Sequence, residues 1–216
     1  MKRIPIIVLW VVLIFILSSE IFAQELKPIQ LPKPQMDGGK PLMQALKERE
    51  SSRDFSPEKL PLQVLSNLLW AAFGVNRPDS GKRTAPSAKN IQEMDVYVAT
   101  ADGLYLFDAK AHLLKPILAE DIRGMTGRQS FVKVAPINLI YVADFSRAGT
   151  MTNEEKEFYS AAHTGFISQN VYLYCASEGL ATVVRASIDR PMLAKAMKLR
   201  PDQRITLAQP VGYPRK

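Results

Sequence analysis

The sequence predicts an α+β domain in which an antiparallel meander of strands is set between helices. Three observations carry that expectation. Asp95 to Thr100 reads as a strand, Ala101-Asp102-Gly103 is a turn signal, and Leu104 to Phe107 returns as a second strand. Thr152-Asn-Glu-Glu155 is a capping-box pattern, which opens a helical stretch running to Glu178 and stopping at Gly179. Strand and helix signals do not alternate one for one, so a regular βαβ array is disfavoured.

The remaining elements follow in chain order. Lys2 and Arg3 precede an almost purely apolar run, Ile4 to Leu17, and Ser18, Ser19 and Ala23 give small residues before Gln24. This is the pattern of an export signal over residues 1–23. The run is short for a membrane span, so cleavage is favoured over an uncleaved anchor, although Ile21 fits the cleavage consensus poorly. Residues 24–41 carry Pro28, Pro32, Pro34 and Pro41 with Gly38-Gly39, and read as an extended leader outside the packed core. Residues 42–216 then form the domain. A short helical segment leads into Arg49-Glu-Ser-Ser-Arg53.

Pro61 to Phe73 is a helix with Leu65, Leu68, Leu69, Ala72 and Phe73 on its apolar face and Gly74 at its end. Lys115 to Leu118 extends the meander, and Asn138 to Ala143 is a buried strand. The helix from Asn153 to Glu178 is apolar on more than one side, through Phe158, Ala162, Phe166, Ile167, Val171, Leu173, Tyr174 and Cys175. Such a helix is central or shared with another subunit. Thr182 to Ala186 reads as a strand, Pro191 to Lys198 as a short amphipathic helix, and Ile205 to Val211 as the last strand.

Composition removes several function classes. The formal charge is +7, from 28 basic and 21 acidic residues. The excess is compatible with nucleic acid or an anionic membrane surface, but the basic residues are scattered and not interleaved with aromatics, which argues against nucleic-acid binding; an anionic small molecule explains the excess equally well. Cys175 is the single cysteine, so no intrachain disulfide exists, and its apolar surroundings make it a buried, inert thiol. With only His112 and His163, and no paired spacing to Cys175, a zinc site has no ligand set. His163 lies inside the long helix and reads first as a packed or hydrogen-bonded core residue. No Gly-x-Ser-x-Gly, Gly-x-Gly-x-x-Gly or Walker loop occurs.

What is left is a chain with little catalytic equipment of its own, which suits a cofactor that brings its own chemistry. Arg49, Ser51, Ser52 and Arg53 place two guanidinium groups and two hydroxyls within five residues. That donor set suits the dianionic phosphate of a nucleotide-like cofactor. It is equally compatible with a solvated helix end.

Four stretches together resemble the nitroreductase family of FMN-dependent oxidoreductases. They are Arg49-Glu-Ser-Ser-Arg53-Asp-Phe55, Arg83-Thr-Ala-Pro-Ser87-Ala-Lys-Asn90-Ile-Gln92, Gln169-Asn170 through Glu178-Gly179-Leu180-Ala-Thr182, and Gln209-Pro-Val-Gly-Tyr-Pro214. The likeness leans towards the SagB-type dehydrogenase branch and its small exported relatives. It implies a nitroreductase-like fold, an antiparallel or mixed central sheet flanked by helices. It also implies a homodimer joined along the long helix, with FMN at the interface.

By the same resemblance, Arg49 and Ser51 hold the FMN phosphate, with Glu50 contributing backbone between them. Arg53 lies at the pyrimidine edge of the ring. Pro86, Ser87 and Asn90 belong to a loop that reaches the flavin from the partner subunit. Glu178 and Gly179 lie near the N5 and O4 edge, Gln129 is a further ring contact, and Arg215 closes a C-terminal phosphate clamp. Two departures stand out: Ala88 occupies a position where many relatives have Ser, and the sequence given stops two residues after Pro214, where many relatives continue into a basic-tipped arm.

The implied function is an FMN-dependent oxidoreductase acting outside the cytoplasm on a small nitroaromatic or quinone acceptor. The implied rivals are an exported flavin-binding module without turnover and a SagB-like dehydrogenase of peptide heterocycles.

Overall fold

A computed structural model describes residues 25–215; the expected export signal and Lys216 lie outside that range. The chain runs through β1 (Ile29–Gln30), α1 (Leu42–Glu48), α2 (Leu62–Phe73), β2 (Val75–Arg77), β3 (Lys82–Arg83), β4 (Met94–Thr100), β5 (Leu104–Asp108) and β6 (Leu113–Leu118). It continues through α3 (Phe131–Val134), β7 (Ile137–Asp144), α4 (Asn153–Glu178), β8 (Ala181–Thr182), α5 (Arg190–Ala196) and β9 (Gln203–Gly212). Seven strands form one sheet in the order β1-β6-β5-β4-β7-β9-β8. Every pairing in it is antiparallel. The α+β class with an antiparallel central sheet and flanking helices agrees with the sequence.

The sheet is covered on both faces, which explains the run of nonpolar and aromatic residues from Leu139 to Ala143 in β7. Leu139, Tyr141 and Ala143 face a core shared with α2 and α4, through Leu68, Leu69, Ile167 and Val171. Ile140 and Val142 face the opposite core, with Leu193 of α5 and Met197. A strand with both faces packed has no solvent side on which to place polar residues. Its pairs with β4 and β9 run along nearly its whole length.

The long helix begins as its sequence requires. Thr152 Oγ1 accepts the Glu155 N–H at 3.2 Å, and the Thr152 N–H donates to Glu155 Oε2 at 2.8 Å. It ends at Gly179, where φ is +69° and an L side chain would be strained. At 26 residues it spans about 39 Å.

Two expectations need correction. The leader is extended but not outside the core. β1 pairs with β6, Leu31 is buried in the main core, and the Pro32 carbonyl accepts the Ser66 hydroxyl at 2.5 Å. Pro-rich composition keeps the segment extended, and its one well-placed leucine then has an apolar surface to cover. The strand expected over 182–186 is cut to β8 plus an isolated bridge from Arg185 to Ala208. The cause is Tyr172, whose hydroxyl takes the Val184 N–H at 2.9 Å, away from the ladder.

Candidate functional site

Arg49 caps the C-terminal end of α1, and the chain then leaves the helix in an extended path. The Ser52 N–H donates to the Thr182 carbonyl at 2.9 Å, pinning the stretch against β8. Further on, Phe55 is buried and bridges to Pro214, and the Ser56 N–H donates to the Tyr213 carbonyl at 2.8 Å. The chain's last described residues therefore run beside residues 54–56, directly after the Arg49–Arg53 stretch. Both segments meet the C-terminal end of α4.

A cavity of about 490 Å³ opens at that meeting point. Arg49, Glu50, Ser52, Tyr172, Gly179 and Thr182 are among the residues lining it. Its volume is typical of a site for a ligand of drug or cofactor size, about 300–1,000 Å³. Arg49 lies with its guanidinium 5.3 Å from the Tyr172 ring centroid. Among the described residues no carboxylate stands within ion-pair distance of it. By contrast, Lys40 on the same wall is neutralised by Glu48 at 2.5 Å. Arg49 thus offers an uncommitted fork of donors to the cavity.

Ser51 is held one step back. Its Oγ lies 2.8 Å from the Tyr172 hydroxyl. Tyr172 already accepts the Val184 N–H, so it is free to give its own proton to Ser51. Where Tyr172 is the donor, the Ser51 hydroxyl keeps its own proton for another acceptor. Tyr172 was not singled out in the sequence, yet it organises this wall. It lies seven residues before Gly179, two turns away on one helical face, and that spacing was the available signal. Cys175 lines the same wall as a buried thiol; desolvation pushes it well above the ordinary thiol range, which keeps it un-ionised.

Arg53 and Arg215 are exposed on either side of the isolated bridge between Phe55 and Pro214, and the Arg215 N–H donates to the Asp54 carbonyl at 3.4 Å. The guanidinium of Arg215 approaches Asp54 only to 4.0 Å, a loose and solvated contact. Glu178 turns to a neighbouring groove with Gly39 and Ser177, so only Gly179 of the pair lines the cavity.

Gln129 is committed elsewhere. Its Oε1 accepts from Arg185 Nη1 at 3.0 Å, while Arg185 Nη2 donates to the Thr126 carbonyl at 3.1 Å. Arg185 is a buried guanidinium brought down to about 10 by desolvation, and its Nε has no acceptor among the described residues.

Pro86, Ser87 and Asn90 lie far from this cavity in the same chain. Their loop packs at His163, whereas the cavity is at residues 172–179 of α4. Nine or more helical residues separate the two, about 14 Å or more along the axis. The loop is strained and internally tied. Lys89, Asn90 and Gln92 have φ of +50°, +55° and +48°, and the Gln92 N–H donates to Ser87 Oγ at 2.8 Å. Arg83 Nε donates to Gln92 Oε1 at 2.8 Å, and Gln92 Nε2 to Asn90 Oδ1 at 2.9 Å.

Comparison with known proteins gives the family. The model of the Nitroreductase family matches residues 46–213. A provisionally named nitroreductase of Methanocaldococcus jannaschii is 30% identical over 181 residues, covering 79% of this chain and 90% of its own length. A crystal structure of a provisionally named nitroreductase from Ralstonia eutropha superposes with a TM-score of 0.86 at 44% identity, covering 89% of this chain and 92% of that one. One from Desulfovibrio desulfuricans, solved in complex with FMN, shares the fold at a TM-score of 0.60 and 23% identity, covering 82% of this chain and 88% of that one. The chain belongs to the nitroreductase family.

Proposed function

We propose that this chain is an FMN-dependent oxidoreductase of the nitroreductase type, with the flavin shared between two protomers. The observation that carries the proposal is Arg49, a guanidinium on the wall of a cofactor-sized cavity with no carboxylate partner among the described residues. The donor set fits a phosphate, since a planar fork of N–H groups binds such oxygens in pairs. FMN, once bound, supplies the hydride and electron chemistry for which the chain has no side chains.

The chain's own residues hold and orient. Arg49 and Ser51 bind the phosphate, the backbone around Glu50 supports it, Arg215 closes the clamp on it, and Arg53 lies at the pyrimidine edge of the ring. Gly179 leaves backbone close to the ring edge without a side chain in the way. A cation such as Arg53 near the pyrimidine edge favours the reduced, negatively charged flavin. The Cys175 thiol stays protonated and takes no part.

Two observations support the dimer. The loop bearing Ser87 and Asn90 stands too far along α4 to serve its own cavity. Phe158 and Phe166 of α4 and Leu42, Met43 and Leu46 of α1 are exposed apolar side chains. A two-fold copy packed along α4 covers them and carries each loop towards the other protomer's cavity. The proposed setting is extracytoplasmic, from the export pattern of residues 1–23, and the proposed acceptor is a small nitroaromatic or quinone.

The test is a visible spectrum of the purified protein, followed by turnover with a reductant and a nitroaromatic or quinone acceptor. Bound yellow flavin with turnover supports the proposal. Bound flavin that is never reduced and reoxidised supports a binding module instead. A colourless protein that ignores added FMN refutes the cofactor assignment.

A further inference from the structure

One buried polar cluster takes no part in that account. Glu93, between the Pro86–Gln92 loop and β4, is 1% exposed, and His163 of α4 is 2% exposed. His163 Nδ1 lies 2.6 Å from Glu93 Oε1, and the Ser160 hydroxyl donates to the same oxygen at 3.2 Å. On its other side the ring meets the loop: the Ala88 N–H points at His163 Nε2, 2.8 Å away. A backbone N–H only donates, so Nε2 accepts and carries no proton. The neutral ring then holds its proton on Nδ1 and gives it to Glu93. Glu93 fixes both the tautomer and the ring plane, as a carboxylate behind an imidazole does at many functional sites.

The arrangement is costly for a core that only needs filling. Glu93 Oε2 is buried with no hydrogen-bond partner among the described residues. A half-satisfied buried carboxylate is less favourable than apolar side chains of equal volume. The loop it serves is costly too. Three of the four residues from Lys89 to Gln92 are non-glycine with left-handed backbone. Such a backbone persists only where its surroundings over-determine it. Of the hydrogen bonds to residues 87–92, the one from Ala88 to His163 ties the loop to the long rigid helix.

We infer that His163, oriented by Glu93, is a positioning residue that holds the Pro86–Gln92 loop in its strained shape, so that Ser87 and Asn90 are presented to the flavin of the neighbouring protomer. The inference rests on the proposed flavin site. The competing view is a pair that fills space and happens to touch the loop.

Two variants and one measurement separate these views. The double variant Glu93→Met/His163→Leu replaces both partners with apolar groups of similar size, a change that spares stability better than removing one partner. His163→Gln keeps an acceptor for the Ala88 N–H and a donor for Glu93. Readouts are FMN affinity by fluorescence titration and amide exchange of residues 88–92 in the flavin-free protein. The double variant is expected to bind FMN about tenfold more weakly or worse, with faster exchange of the loop amides. His163→Gln is expected to stay within about threefold of the unmodified protein.

Unchanged FMN affinity and loop exchange in a folded double variant overturn the inference. If that variant does not fold, the unmodified protein decides: an Ala88 amide exchanging no more slowly than those of Asn90 to Gln92 overturns it, and an Ala88 amide that is the best protected of the loop upholds it. Failure of the unmodified protein to bind FMN sinks the cofactor assignment, while loop exchange still judges the anchor.

Discussion

Replacing Arg49 with Ala removes the one uncommitted guanidinium identified on the cavity wall. The side chain lies over Tyr172 at 5.3 Å, so its loss from the free protein costs a cation–π contact of about 0.5–1 kcal/mol at a partly exposed site. The larger effect is on the ligand. A hydrogen bond to a charged group contributes about 1.5–3 kcal/mol, which corresponds to roughly 10- to 150-fold in FMN dissociation constant. Arg49→Lys keeps the charge but loses the fork, and should fall between the two. The assay is quenching of FMN fluorescence on titration at fixed ionic strength, with thermal unfolding of the flavin-free protein as the control. An Arg49→Ala protein that binds FMN within twofold of the unmodified one would refute the reading of this wall as the phosphate site.

Gly179→Ala should destabilise by about 1 kcal/mol from backbone strain alone, since no neighbouring atom lies within 4 Å of the added Cβ. Differential scanning calorimetry should show a melting temperature lower by about 2–4 °C; no change would mean that the left-handed cap is absent in solution. Thr152→Ala breaks the capping box and should cost about 1 kcal/mol in urea unfolding, with the slope unchanged. Burial pushes the Asp144 carboxyl up, but the Ser146 hydroxyl and the Arg200 and Arg147 guanidinium groups together bring it below the usual 3.8. A folded pKa below the unfolded one stabilises fully above about pH 4 and is lost as pH falls through the folded value. The melting temperature should therefore fall on acidification from pH 5 to pH 2, and Asp144→Asn should flatten that limb; an equally steep limb in the variant would assign it to other carboxylates.

The elements legible in the sequence were those whose pattern is set by local rules. The capping box at Thr152, the stop at Gly179 and the turn at Asp102-Gly103 each follow from backbone chemistry within a few residues. The buried strand 138–143 was legible because both of its faces are packed. Leu31 was missed because a Pro-rich segment gives no periodicity, and only the exposed edge of β6 makes a place for it. The break after β8 was missed because it depends on a hydroxyl supplied from α4.

The candidate site divides the same way. Arg49, Glu50 and Gly179 come together on one cavity, and each is fixed by the end of a helix. Gln129 did not join them, since its acceptor is taken by Arg185, a partner 56 residues away. Tyr172 and Glu93 went unread because their roles come from contacts across 121 and 70 residues, to Ser51 and His163.

The most direct test of a flavin shared between two copies is a complementation experiment. Arg49→Ala and Asn90→Ala proteins, each weakened in FMN binding, are unfolded together and refolded as a mixture. If each site takes Arg49 from one protomer and Asn90 from the other, mixed dimers carry one intact site, and about a quarter of all sites should regain tight FMN binding. Recovery of none, with both variants folded and dimeric, would show that the two residues do not serve one flavin from opposite subunits.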